Sequence, residues 1–205
     1  MSLDGFIAGP EQSVENPLGI GGEGLHEWVV LLAAWRAPHG LSGGEVNESS
    51  QVVEEEQAGI GATIMGRNMF GGHPGPWDAE NPWSGWWGTE PPFHHPVFVL
   101  THHSREPLAL EGGTTFNFVT DGIEAALSQA RRAAGGKDVA LAGGANVAQQ
   151  YLRVGLVDEM ELHLVPMVLG GGERLFDGVG SDLHGLELTR TVATPQVVHL
   201  KFERR

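Results

Sequence analysis

Short apolar runs that stop abruptly at glycine are the feature that most constrains this sequence. Ala62-Thr63-Ile64-Met65 empties into Gly66-Arg67-Asn68-Met69-Phe70, and residues 139–142 empty into Gly143-Gly144 ahead of a helical stretch over residues 145–153. Runs this short suit buried strands better than helices. The pattern therefore predicts strand, glycine turn, helix units and a sheet whose strands run mostly parallel. A third run, residues 96–101, empties into His102-His103-Ser104-Arg105. Glycine makes up 31 of the 205 residues, roughly twice ordinary usage. Because the glycines punctuate apolar segments, they predict tight turns and close approaches of backbone, not disorder.

The spacing of Leu25, Trp28, Val29, Leu32 and Trp35 predicts a helix over residues 25–36, ended near Pro38. Asn47 suits the N-cap of a helix running through Gln57, since its side-chain oxygen can accept from the open amides of the first turn. Asp121 and Glu124 have capping-box spacing for a helix with an Ile123, Leu127, Ala130 stripe, closed by Gly135-Gly136. Residues 158–165 alternate as a half-buried strand, and residues 186–192 and 197–202 form a terminal hairpin. Residues 2–9 look like a strand end running into a glycine-flanked loop. The expectation is a single α/β domain over residues 1–205. It would have three layers, α/β/α, with a mostly parallel mixed sheet and a C-terminal antiparallel hairpin. A Trp/Pro/Gly-rich loop at 71–95 interrupts it, carrying Trp77, Trp83, Trp86, Trp87 and Phe93. Those aromatics can either stack on a flat ring or cover an edge of the core.

Composition removes several function classes. With no cysteine, thiol nucleophiles, thiolate metal sites and disulfides are absent. No apolar run approaches the roughly 20 residues of a membrane helix, and the first ten residues lack a secretory pattern, so a cytoplasmic chain without a membrane partner is expected. A formal charge of −14 opposes nucleic acid. The pairs His94-His95 and His102-His103 lack the His-x-x-x-His spacing of a helical zinc site, and no metal is expected. Acyl transfer finds no Gly-x-Ser-x-Gly elbow.

What remains are anion sites. Gly143-Gly144 lets backbone amides approach a phosphate, with the positive end of the following helix behind them. Gly66-Arg67 repeats this at another strand end, where a guanidinium can fork onto phosphate oxygens. His102, His103 and Arg105 could face a ribose 2′-phosphate. Each turn alone also fits a purely structural role.

In this order the segments SLDGFIAG (2–9), GATIMGRNMF (61–70), PVFVLTHHSR (96–105), ALAGGANVAQQYL (140–152) and ELHLVPMVLGGGERLF (161–176) resemble the dihydrofolate reductase-like proteins that include the reductase domain of bacterial riboflavin biosynthesis. The resemblance implies the dihydrofolate reductase fold, NADPH as cofactor and a homodimer. It implies that Ile7 and Ala8 lie along the nicotinamide and that Gly66, Arg67, Asn68 and Met69 lie near the phosphates. Thr101, His102 and His103 would hold the adenosine phosphate, with Arg105 beside them. Gly143, Gly144, Ala145, Asn146 and Val147 would hold the pyrophosphate. Where dihydrofolate reductases carry a substrate carboxylate the spacing lands near Ser50, with Glu48 the nearest acid. Where riboflavin-pathway reductases carry a glutamate this chain has Ala142. The expected activity is NADPH-dependent hydride transfer to a small flat heterocycle, pterin- or pyrimidine-like, with Asp4 and Glu48 as the polar groups near the reacting ring. A nucleotide-binding module of the same fold without turnover is the alternative.

Overall fold

A computed structural model describes residues 1–181 and 183–205. In chain order the elements begin with β1 (Phe6–Ala8), α1 (Glu27–Val30), α2 (Ala33–Arg36), α3 (Glu48–Gln57), β2 (Ile60–Gly66) and α4 (Arg67–Phe70). The middle of the chain contributes β3 (Pro96–Leu100), β4 (Leu108–Ala109), β5 (Thr115–Val119), α5 (Gly122–Ala134), β6 (Asp138–Gly143) and α6 (Ala145–Arg153). The last part adds β7 (Glu159–Leu164), β8 (Glu173–Arg174), β9 (Leu186–Ala193) and β10 (Val198–Arg204). They form two compact units, Gly59–Ala148 and the combination of Met1–Ala58 with Gln149–Arg205.

The unit Gly59–Ala148 holds a five-stranded mixed sheet in the order β4-β5-β3-β2-β6. β5, β3, β2 and β6 are mutually parallel and the short β4 runs antiparallel at the edge. Successive side chains of a strand face opposite ways, and the two faces are finished differently. On one, α5 packs against β2 and β3 with the buried small side chains Ala126, Ala130 and Ala134. Gly61 permits this closeness, because a Cβ there would sit 2.6 Å from the Ala134 carbonyl oxygen. On the other, Met65, Phe70, Val97, Val99 and Phe116 form a cluster roofed by Trp77, Trp83, Trp87 and Phe93. Loop 71–95 and Phe70 of α4 thus cover this face of the sheet.

The second unit contains the antiparallel sheet β7-β10-β9 and the β1-β8 pair. Its helix α3 is capped as expected: the Asn47 side chain accepts from the Ser50 amide and the Ser50 hydroxyl accepts from the Asn47 amide. One apolar cluster joins Leu25, Trp28, Leu32, Ala34, Val53, Val165 and Val197. Another joins Leu152, Val179 and Leu186.

The fold class agrees with the expectation, a mostly parallel mixed sheet with flanking helices and an antiparallel C-terminal hairpin. Several local readings do not. Residues 25–36 form two short helices instead of one, because Leu32 is extended (φ −78°, ψ 141°). There the Ala33 amide donates to Glu45 O and the Glu45 amide to Leu31 O, so pairing with residue 45 outcompetes helix continuation. The capping box at Asp121 is not made: its side chain makes no cap bond, and Gly122 enters the helix at φ +87°. Residues 2–5 form a turn ahead of β1 instead of the end of a strand. β5 was not anticipated.

Candidate cofactor site

β3, β2 and β6 are neighbours and parallel, so their C-terminal ends share one edge of the sheet, with Gly66 in register with Leu100 and Met65 with Gly143. On that edge lie Gly66-Arg67, the turn from Thr101 to Arg105, and Gly143-Gly144. The three turns singled out in the sequence are therefore brought together, at the edge where open α/β sheets bind ligands.

The glycines there answer different demands. A Cβ on Gly66 would lie 2.8 Å from Val147 Cγ2, so its absence lets the start of α6 close on β2. Gly143 is buried with φ +108°, a conformation that favours glycine. The Gly143–Gly144 peptide is cis. At Gly144 neither reason applies, since a Cβ would meet nothing within 4 Å and φ is not in the left-handed region. Packing does not require glycine there, yet the bare backbone leaves room for a ligand. The first bonds of α6 run from the Val147 and Ala148 amides to Gly144 O, both 3.1 Å. Ala145 and Val147 are buried beneath this turn while Asn146 is exposed. A helix start offers unpaired donors and partial positive charge to an anion.

Two guanidinium groups flank the neighbouring turns. Arg67 is half-buried and donates through Nη1 to Gly71 O (3.0 Å) and through Nη2 to His73 O (2.8 Å). Arg105 donates to Trp83 O. Both lie against the Trp77 ring, Arg67 Cζ at 3.3 Å and Arg105 Cζ at 5.0 Å from its centroid. Burial, and then the charge of Arg105, push the Arg67 guanidinium down to about 10, so it still carries its charge at neutral pH. Neither arginine has a carboxylate within ion-pair distance among the described residues, a state they share with Arg36, Arg131, Arg132, Lys137, Arg153 and Arg174. Thr101 is buried, takes the His103 amide on its hydroxyl (3.2 Å) and so shapes the 101–103 turn. His102 and Asn68 are exposed; His103 and Met69 are half-buried.

Ile7 and Ala8 lie in β1 of the other unit. In that unit Asp4 accepts from the Leu169 amide (3.1 Å) and the Gly170 amide (2.7 Å). The Ser2 hydroxyl and these amides hold its carboxyl down at about 2, which suits a carboxylate that stays ionised and anchors the 169–170 turn. Glu48 is exposed in the first turn of α3. Ser50 is 1% exposed and committed to the cap, and Ala142 is exposed. Sequence reasoning named Trp77 only as one of five loop aromatics and missed its contact with both arginines. The signal for that contact was its place in the loop joining the Gly66-Arg67 and 102–105 turns.

Residues 1–200 match the RibD C-terminal domain family. A protein of Shewanella sp. PV-4 named for riboflavin biosynthesis is 21% identical over 100% of this chain and 95% of its own, with a TM-score of 0.60. The diaminohydroxyphosphoribosylaminopyrimidine deaminase/5-amino-6-(5-phosphoribosylamino)uracil reductase of Thermotoga maritima is 15% identical with a TM-score of 0.57; all of this chain is covered but only 54% of that one. These likenesses show the fold. Among curated proteins, uncharacterised YyaP of Bacillus subtilis (strain 168) is 39% identical over 59 residues, 29% of this chain and 31% of that protein. Among the described residues no helix is long and apolar enough to cross a membrane, and no group of three or more His, Asp or Glu side chains is placed to hold a metal ion.

Proposed function

Because the chain belongs to the RibD C-terminal domain family, we propose that it is an NADPH-dependent reductase of a small flat heterocycle. The observation that carries this reading is the shared edge of β3, β2 and β6. There two guanidinium groups without carboxylate partners stand beside a glycine turn whose backbone is open to a ligand. In a chain of formal charge −14, cations left uncompensated in one place favour an anionic ligand. Gly144 and the first turn of α6 would take the pyrophosphate through backbone N–H groups. Arg67 and Arg105 would take the ribose 2′-phosphate, where a guanidinium fork matches the oxygens. NADPH supplies the hydride when bound; the chain supplies grip and orientation.

The test is a pair of dissociation constants, for NADPH and NADH, measured across salt concentration. NADPH should bind more tightly, and the preference should shrink as salt screens the phosphate contact. Equal affinity for the two at low salt would reject the reading.

A nucleotide-binding module without turnover is the second reading. Ser50 favours it, because this hydroxyl is buried and spent on the helix cap where dihydrofolate reductases place a carboxylate. Any substrate-dependent loss of NADPH absorbance rejects it.

A further inference from the structure

Both site arginines rest on one side chain from the loop, and that side chain also touches the third member of the site. The Trp77 indole N–H donates to the His103 carbonyl oxygen at 2.8 Å. Its ring carries the Arg67 guanidinium at 3.3 Å and lies 5.0 Å from that of Arg105. The ring is fixed from behind by edge contacts to Phe70 (5.8 Å) and Phe118 (4.9 Å). Trp77 therefore connects the end of β2, through Arg67, to the end of β3, through His103 and Arg105.

The electrostatics explain why an aromatic ring stands there. Two guanidinium groups against one ring repel each other, and after burial the charge of Arg105 is what lowers the Arg67 pKa. A carboxylate would relieve the repulsion by neutralising the pair, as carboxylates do at Arg190 and Arg204. The indole face attracts cations through its quadrupole without carrying net charge. It can hold both arginines in place and leave their positive charge unspent.

We infer that Trp77 is a positioning residue that presents Arg67 and Arg105, uncompensated, to a phosphate monoester dianion, the ribose 2′-phosphate of the cofactor. The inference rests on the reading of this edge as an NADPH site. It adds that discrimination between 2′-phosphorylated and plain nucleotides depends on a side chain contributed by loop 71–95, which need not touch the phosphate.

Titration calorimetry with 2′,5′-ADP and 5′-AMP separates the two ideas. If the wild-type protein binds both equally, the NADPH reading of the edge fails. If it prefers 2′,5′-ADP, Trp77→Leu should reduce that preference about tenfold, as expected for losing the ring from two cations. It should flatten the salt dependence, and 5′-AMP affinity should stay within about twofold because the pyrophosphate turn is untouched. Trp77→Phe, which keeps a ring, should recover a large part of the preference. A folded Trp77→Leu that retains the full preference, or loses affinity for both ligands in equal proportion, overturns the inference alone. A measurement on the wild-type protein needs no folded Leu variant. The Trp77 indole N–H resonance, assigned by its loss in Trp77→Phe, should move with 2′,5′-ADP and stay in place with 5′-AMP. Equal movement with both overturns the proposal.

Discussion

Acidification should weaken this fold in large part through His199, and the size of that part follows from its surroundings. His199 is 1% exposed on β10. Its Nε2 lies 2.9 Å from the Ser49 hydroxyl of α3, and its Nδ1 lies 2.7 Å from Nδ1 of His163, its cross-strand partner on β7. Trp28 packs against both rings, and His163 Nε2 reaches Glu56 at 2.9 Å. The contact between two Nδ1 atoms is a hydrogen bond only while one of them lacks its proton. Burial first, then the charge of His163, push His199 from 6.5 down to about 4. A folded pKa below the unfolded one means that the unfolded chain binds the extra proton. Stability from neutral His199 is thus complete above about pH 6.5 and is lost as pH falls toward 4. Linkage puts the loss between pH 7 and 4.5 at about 2 kcal/mol, a large share of the roughly 5–15 kcal/mol typical of a domain. Glu161 opposes this, since burial and then Glu56 raise its carboxyl, so it gains its proton more readily when folded. His26 and His95, lowered by burial, and the Met1 amino group, lowered by burial to about 6, add with the sign of His199. Comparing variants removes these shared contributions. Between pH 7 and 4.5 the urea midpoint of the wild type should fall by about 1 M more than that of His199→Asn. Parallel falls in the two proteins would refute the reasoning.

Gly66→Ala should cost about 1–3 kcal/mol in urea unfolding, because its Cβ would lie 2.8 Å from Val147 Cγ2 in a packed contact. Adding Val147→Ala should relieve part of that cost, and strict additivity would argue against the clash. Arg105→Gln should weaken NADPH about 10- to 100-fold, the range for losing a charge-assisted hydrogen bond, with NADH binding scarcely changed in calorimetry. Asp4→Asn should speed amide exchange at Leu169 and Gly170, whose N–H groups its carboxylate accepts. It should leave the stability profile between pH 5 and 8 unaltered. Asp4, held at about 2, contributes above its unfolded pKa and loses that contribution only as pH falls toward 2.

The parallel sheet and its loaded edge were legible because buried strands that stop at glycine carry their signal locally. α6 and the terminal hairpin appear within a residue or two of their expected bounds. The failures lie where distant residues decide. Leu32 has helical spacing in sequence, but Glu45 draws its neighbours into pairing. β5 was missed because its run, Thr115-Phe116-Asn117-Phe118-Val119, is short, carries a polar residue at its centre and follows Gly112-Gly113 closely. Its place in the sheet is set by pairing with β3 and β4, which no local pattern announces. At the site, residue types singled out Arg67 and Arg105, the two guanidinium groups that the proposal assigns to a phosphate. That one tryptophan lies against both was not readable, because nothing in the spacing of loop 71–95 says which of its aromatics turns back to the arginines.

The central claim is tested most directly by a crystal structure of the protein grown with NADPH. The account predicts the 2′-phosphate against Arg67 and Arg105 and the pyrophosphate over Gly144 at the start of α6. Ordered NADPH bound elsewhere, or bound with its 2′-phosphate away from both guanidinium groups, would contradict it.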